Sequence, residues 1–203
     1  MAKILTCPNY TAAIVVVHGR SEEIIANHIK SSLRLNIHIH KRKTSIQING
    51  LLHELESNFK DLSALGKNPN LFLNVIDKKI QDFKIFTLMD TDDCSEKTKQ
   101  SYMNGDIFNK YALKEYIVPI YSIPDLEHVL HQSKLIPKVY NDSEKVREYG
   151  KLFPVSSVPM GESALPMDNI IQTCKKLEKN TNTNWNVFLD YCIKAAENRR
   201  IKK

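Results

Sequence analysis

The chain has 203 residues, with 42% apolar and 26% charged side chains, the balance of one globular domain with room for a sizeable core. No apolar run approaches the roughly 20 residues that a membrane-spanning helix needs, which excludes a helical membrane protein. The formal net charge is +6 and the pI about 9.0, values that suit a polyanionic partner without requiring one. In "MAKILTCPNYTAAIVVVHGR" the apolar run has no small-residue cleavage site and leads into a helix pattern, so it reads as a buried strand and not as a signal peptide. Cys7, Cys94, Cys174 and Cys192 show no Cys-x-x-Cys spacing. The expectation is reduced thiols in a cytoplasmic protein.

In chain order, "AAIVVV" (12–17) is a β-branched run expected to form a strand buried on both faces. After "HGR", Ser21 is placed to cap a helix over 21–33, with Glu22 and Glu23 in its first turn. "NIHIH" (36–40) alternates as a short strand does, and Ser45 can cap a second helix with Ile48, Leu51, Leu55 and Phe59 on one stripe. "GKNPN" (66–70) is a loop, and a short helix is expected over 70–81. "FKIFTLM" (83–89) is the second strong strand, followed by a helix capped by Ser95 and stopped by Gly105. "EYIVPIYSI" (115–123) is a third strand, which Pro119 assigns to an edge or a bulge. Pro124 suits the first turn of a helix over 124–132. Helices are further expected over 141–152, 169–180 and 184–199, with a Pro- and Ser-containing loop over 153–168.

Strand, polar turn and helix thus recur, the pattern of an α/β fold. It predicts a mostly parallel sheet of about four strands, helices on both faces, and closing C-terminal helices. Residues 1–140 would form the α/β domain and 141–203 a helical extension packed on it. If the strands are parallel, Glu22, the acids of 90–93 and Glu127 share the sheet edge where open α/β sheets bind ligands.

Glu22 is either a dipole-stabilising acid at a helix start or a ligand. Asp90 closes an apolar strand, where a carboxylate is costly unless a cation or hydrogen bonds satisfy it. With Asp92 it forms an Asp-x-Asp, two oxygen donors within reach of one hard cation such as Mg²⁺. Asp93 serves equally as a turn and capping residue. The basic runs "HIHKRK" (38–43) and "RRIKK" (199–203) are either solvated surface or phosphate contacts.

Together, "IVVVHGRSEEII" and "FTLMDTDDC" resemble the Toprim domain shared by topoisomerases, primases and OLD-type nucleases. "IPDLEHVL" is similar to a third acidic element of the small OLD-like and RloB-like nucleases of phage defence. The likeness spans residues 12–133. It implies a Toprim-like fold and a metal-dependent nuclease acting on DNA or RNA, with Mg²⁺ or Mn²⁺ as cofactor. Carried over onto this sequence, His18, Glu22, Asp90 and Asp92 would be catalytic, and Glu22, Asp90, Asp92, Asp93 and Glu127 would hold metal. Arg20, Lys41, Arg42, Lys43 and Lys97 would contact nucleic acid, and Arg20 or Lys97 would offset charge in the transition state. His18 stands where the family has a glutamate. Either it serves as base or ligand beside Glu22, or the site is degenerate and the chain only binds nucleic acid or docks on a larger partner. A defence ATPase, a reverse transcriptase or another defence-system protein would be such a partner, and any ATP-driven trigger would come from it, since the chain has no Walker A pattern of its own. A homo-oligomer is equally compatible.

Overall fold

The structure is a computed structural model that describes residues 10–152 and 165–201. Cys7 and the expected loop over 153–164 lie outside those residues. Four parallel strands form the sheet: β1 (Ala13–Val17), β2 (Ile37–His40), β5 (Lys84–Asp90) and β6 (Ile117–Ser122). Their order is β2-β1-β5-β6, with Val17 beside Leu88 and Asp90 beside Ser122. Chain direction across the sheet reverses between β1 and β5, so the crevice beyond their C-terminal ends is a topological switch point.

Side-chain alternation assigns the two faces. Ala13, Val15, Val17, Phe86, Leu88 and Ile120 belong to one core, and Ile14, Val16, Ile85 and Met89 to another. The first core is closed by α1 (Arg20–Ser32), α5 (Leu126–Gln132), α6 (Asp142–Leu152), α7 (Leu165–Leu177) and α8 (Trp185–Ile201). The second is closed by α2 (Ile48–Phe59), α3 (Leu62–Lys67) and α4 (Glu96–Met103). The expected sheet with helices on both faces and a C-terminal helix pair is therefore present.

Several local expectations are corrected. Residues 70–81 do not form a helix. Val75–Ile76 (β3) and Lys79–Ile80 (β4) pair antiparallel around Asp77 and Lys78, which both take positive φ, as a tight hairpin turn requires. The helix in this region lies earlier, at α3, where the Asp61 side chain accepts from Ala64 N–H at 2.8 Å. Ser45 is not a cap, since α2 starts at Ile48 behind Gln47, with no side-chain cap bond. Pro124 precedes its helix, which Asp125 caps by accepting from His128 N–H at 2.9 Å. Residues 165–168, expected in a loop, open α7. Ser95 caps α4 as expected, accepting from Thr98 N–H, and Gly105 follows with φ 80°.

β6 is the edge strand that Pro119 implied, and the 182–185 segment covers it. Asn184 accepts from Tyr121 N–H and donates to the Pro119 carbonyl, both at 2.9 Å, and Ile123 N–H donates to Asn182 O at 2.9 Å. A side chain here supplies the pairing that a further strand would give. Among the described residues no helix is long and apolar enough to cross a membrane.

Candidate functional site

Three buried carboxylates meet at the C-terminal ends of β1, β5 and β6, each from a different element. Asp90 ends β5, Glu22 lies in the first turn of α1 after β1, and Glu127 lies in the first turn of α5 after β6. Their relative exposures are 8%, 2% and 8%, levels at which an unpaired charge is costly.

Each is positioned by local backbone. Asp90 Oδ1 accepts from Leu126 N–H at 3.0 Å, tying the end of β5 to the start of α5. Thr91 fixes the same corner, its N–H donating to the carbonyls of Ser122 at 3.1 Å and Pro124 at 2.9 Å. Glu22 Oε2 accepts from Gly19 N–H at 2.9 Å, while Oε1 is buried and has no hydrogen-bond partner. Glu127 Oε1 accepts from Ser21 Oγ at 2.6 Å, Lys145 Nζ at 2.6 Å and the Tyr149 hydroxyl at 3.3 Å.

The electrostatics divide the three. Burial, and then repulsion from Glu22 and Glu127, push the Asp90 carboxyl far above the usual carboxylate range. Burial also raises Glu22, to about 7, with Glu127 adding to the shift. Burial alone would raise Glu127 too, but hydrogen bonds from Lys145 and Ser21 outweigh it and hold its carboxyl below the ordinary value. Lys145 thus holds Glu127 ionised, and Asp90 and Glu22 are repelled by it, as Asp90 is by Glu22.

The other expected site residues are distributed around this centre. Asp92 is exposed but close enough to raise Asp90 electrostatically. Asp93 is half-buried, with one unpartnered oxygen, and its electrostatic neighbours include His18 and Asp92. His18 Nδ1 is likewise buried without a partner. His18, Arg20, Lys41, Arg42 and Lys43 line one cleft of about 710 Å³ beside the end of β1. Lys97 is exposed on α4 and is not among the residues lining that cleft. Two of the expected phosphate contacts are already engaged: Lys41 pairs with Glu23, and Arg42 Nη1 lies 3.4 Å from Glu54 Oε2.

Sequence reading missed Ser21, Thr91, Lys145 and Tyr149. Ser21, expected to cap α1, lies inside the helix, and Gly19 is its N-cap. Lys145 and Tyr149 share a face of α6, four residues apart, and no spacing in the sequence connects that face to Glu127.

Among the described residues no three His, Cys, Asp or Glu side chains are grouped closely enough to hold a metal as they stand. Mg²⁺ is commonly held by one or two carboxylates together with waters and substrate phosphates. By that measure the donors fit: oxygen ligands only, an unpartnered buried oxygen on Glu22, and like-charge repulsion at Asp90 that a cation would relieve. In comparisons with protein-family models, curated proteins and solved structures, the chain matches none.

Proposed function

We propose that this chain is a Toprim-like, metal-dependent nuclease that hydrolyses phosphodiester bonds in DNA or RNA. One observation carries the reading. Glu22 and Asp90 sit buried and mutually repelling at the switch point of a parallel sheet, beside a cleft lined by Arg20, Lys41, Arg42 and Lys43. A bound cation would relieve the repulsion between them and the cost of burying them.

Asp90 and Glu22 would hold Mg²⁺ or Mn²⁺, with Asp92 and Glu127 as flanking carboxylates. The metal supplies Lewis-acid polarisation of the phosphate and a lowered pKa for a bound water. The chain's own residues do the rest. Leu126 N–H fixes one oxygen of Asp90, so the carboxylate is oriented before any ligand arrives. Glu22 Oε1 or His18 Nδ1, both buried and unpartnered, accepts the proton of the attacking water. Lys145 holds Glu127 ionised, and the cleft cations bind a substrate phosphate.

The test is incubation with plasmid, single-stranded DNA and total RNA, with and without Mn²⁺. Wild type is expected to cleave at least one substrate only with metal, and Asp90→Asn none. Equal cleavage by Asp90→Asn would overturn the site assignment.

A second reading is a non-catalytic module that binds nucleic acid or docks on a larger defence partner. It is favoured by Lys145, which already occupies Glu127, and by His18 at a position where the resembling family has an acid. Under that reading millimolar Mn²⁺ leaves the melting temperature unchanged, whereas a bound metal raises it by mass action.

A further inference from the structure

The cleft beside β1 gathers basic and polar side chains in one place. Four cations, Arg20, Lys41, Arg42 and Lys43, line it, and Glu23 is the acid among the lining residues. Glu23 is taken up by Lys41, and Arg42 is anchored on the buried Glu54. Arg20 and Lys43 have no ion-pair partner among the described residues. His18 and His28, from β1's end and from α1, add two imidazoles, each with a buried Nδ1 that has no hydrogen-bond partner. Thr44 and Ser45 bring hydroxyl groups to the same wall.

Charge and shape together select the ligand. A track for the interior of a strand needs cations spread along it, because each phosphodiester carries one charge. Here the cations line a single cleft of about 710 Å³, within the roughly 300–1,000 Å³ typical of small-molecule sites. A phosphate monoester brings roughly two charges and three acceptor oxygens to one point, which matches the two cations unpaired among the described residues, one of them the fork-shaped guanidinium of Arg20. We infer that this cleft binds a terminal phosphate monoester, carried either by a free nucleotide or by the end of a nucleic-acid strand. The strand-end case rests on the nuclease reading, and the free-nucleotide case does not.

Calorimetric titration in EDTA, with no metal and no turnover, tests it. The probes are adenosine 5′-monophosphate, adenosine, and a ten-nucleotide DNA strand with or without a 5′-phosphate. Each phosphorylated probe is expected to bind at least about tenfold more tightly than its hydroxyl counterpart. Arg20→Ala combined with Lys43→Ala, both at exposed positions, should remove about that factor, while Asp90→Asn should leave binding intact. Tighter binding of the phosphorylated strand than of the mononucleotide assigns the site to strand ends, and equal binding assigns it to free nucleotides. Equal affinity for phosphorylated and hydroxyl probes, no binding at all, or binding indifferent to the double substitution would overturn the inference. Since cleavage is not read, failure of the nuclease reading and failure of this one are separate results.

Discussion

Asp90 couples the chemistry of the site to the stability of the fold. Its carboxyl, like that of Glu22, is raised in the folded state, so the folded protein binds these protons more tightly than the unfolded chain does. For an acid raised in this way, the stabilising contribution is complete below the ordinary carboxylate range and is lost as pH rises. For Glu22 the loss runs from about 4.5 to about 7, and for Asp90 it extends higher. Asp90→Asn keeps an acceptor for Leu126 N–H and removes the repulsion. In metal-free buffer the variant should therefore be more stable than wild type at pH 8, by at least about 2 kcal/mol, and the gap should shrink towards pH 5. Urea denaturation at the two pH values measures this. A gap that does not change with pH would mean that Asp90 carries no such repulsion. Added Mn²⁺ should reverse the order by stabilising the wild type alone.

Among the elements, α4 is held to the sheet through one side chain. The fully buried Tyr102 hydroxyl lies 2.6 Å from the Thr87 carbonyl and 2.9 Å from the Ile120 carbonyl, with Thr87 Oγ1 at 2.9 Å. It bridges β5 and β6 from the helix that follows the Asp-x-Asp turn. Tyr102→Phe keeps the ring packing but leaves these groups without their partner in the core. The expected cost is about 1–3 kcal/mol in denaturant unfolding. A neutral result would place the support of that turn elsewhere, in Thr91 and Leu126. The α1–α6 contact is tight in a different way. A Cβ on Gly150 would stand 3.1 Å from His28 Cε1, so a side chain at 150 on α6, which carries Lys145 and Tyr149, would require the His28 ring on α1 to shift by a few tenths of an ångström.

At the scale of the molecule, the closing helices belong to the core. Trp185, Phe188, Leu189 and Cys192 of α8 share one apolar cluster with Val15, Phe86 and Ile120 of the sheet. Trp185 Nε1 donates to Ser122 Oγ at 3.1 Å, and the Tyr191 hydroxyl to Ala12 O at 2.5 Å. These contacts use the face that would otherwise be offered to a docking partner. A chain ending at residue 140 would expose that side of the sheet to water. It is expected to aggregate or to lose cooperative thermal unfolding, read by circular dichroism and light scattering. A truncated chain with a sharp two-state melt would show that residues 1–140 fold independently.

The sequence by itself determined the four strands of the parallel sheet, because β-branched runs such as "AIVVV" leave few alternatives, and the N-cap at Ser95, because its bond is local. It also determined which acids end the strands, since that follows from element boundaries alone. It misjudged 70–81, where propensity is weak and a turn with two left-handed residues decides the structure. It could not assign the counter-ion of Glu127, because Lys145 reaches it from a helix distant in sequence. Nor could it separate Asp90 and Glu22, which repel within a buried crevice, from Lys41 and Arg42, which are partly spent in ion pairs. Burial and the distances between elements set those electrostatics, and both exist only once the sheet has brought the ends of β1, β5 and β6 together.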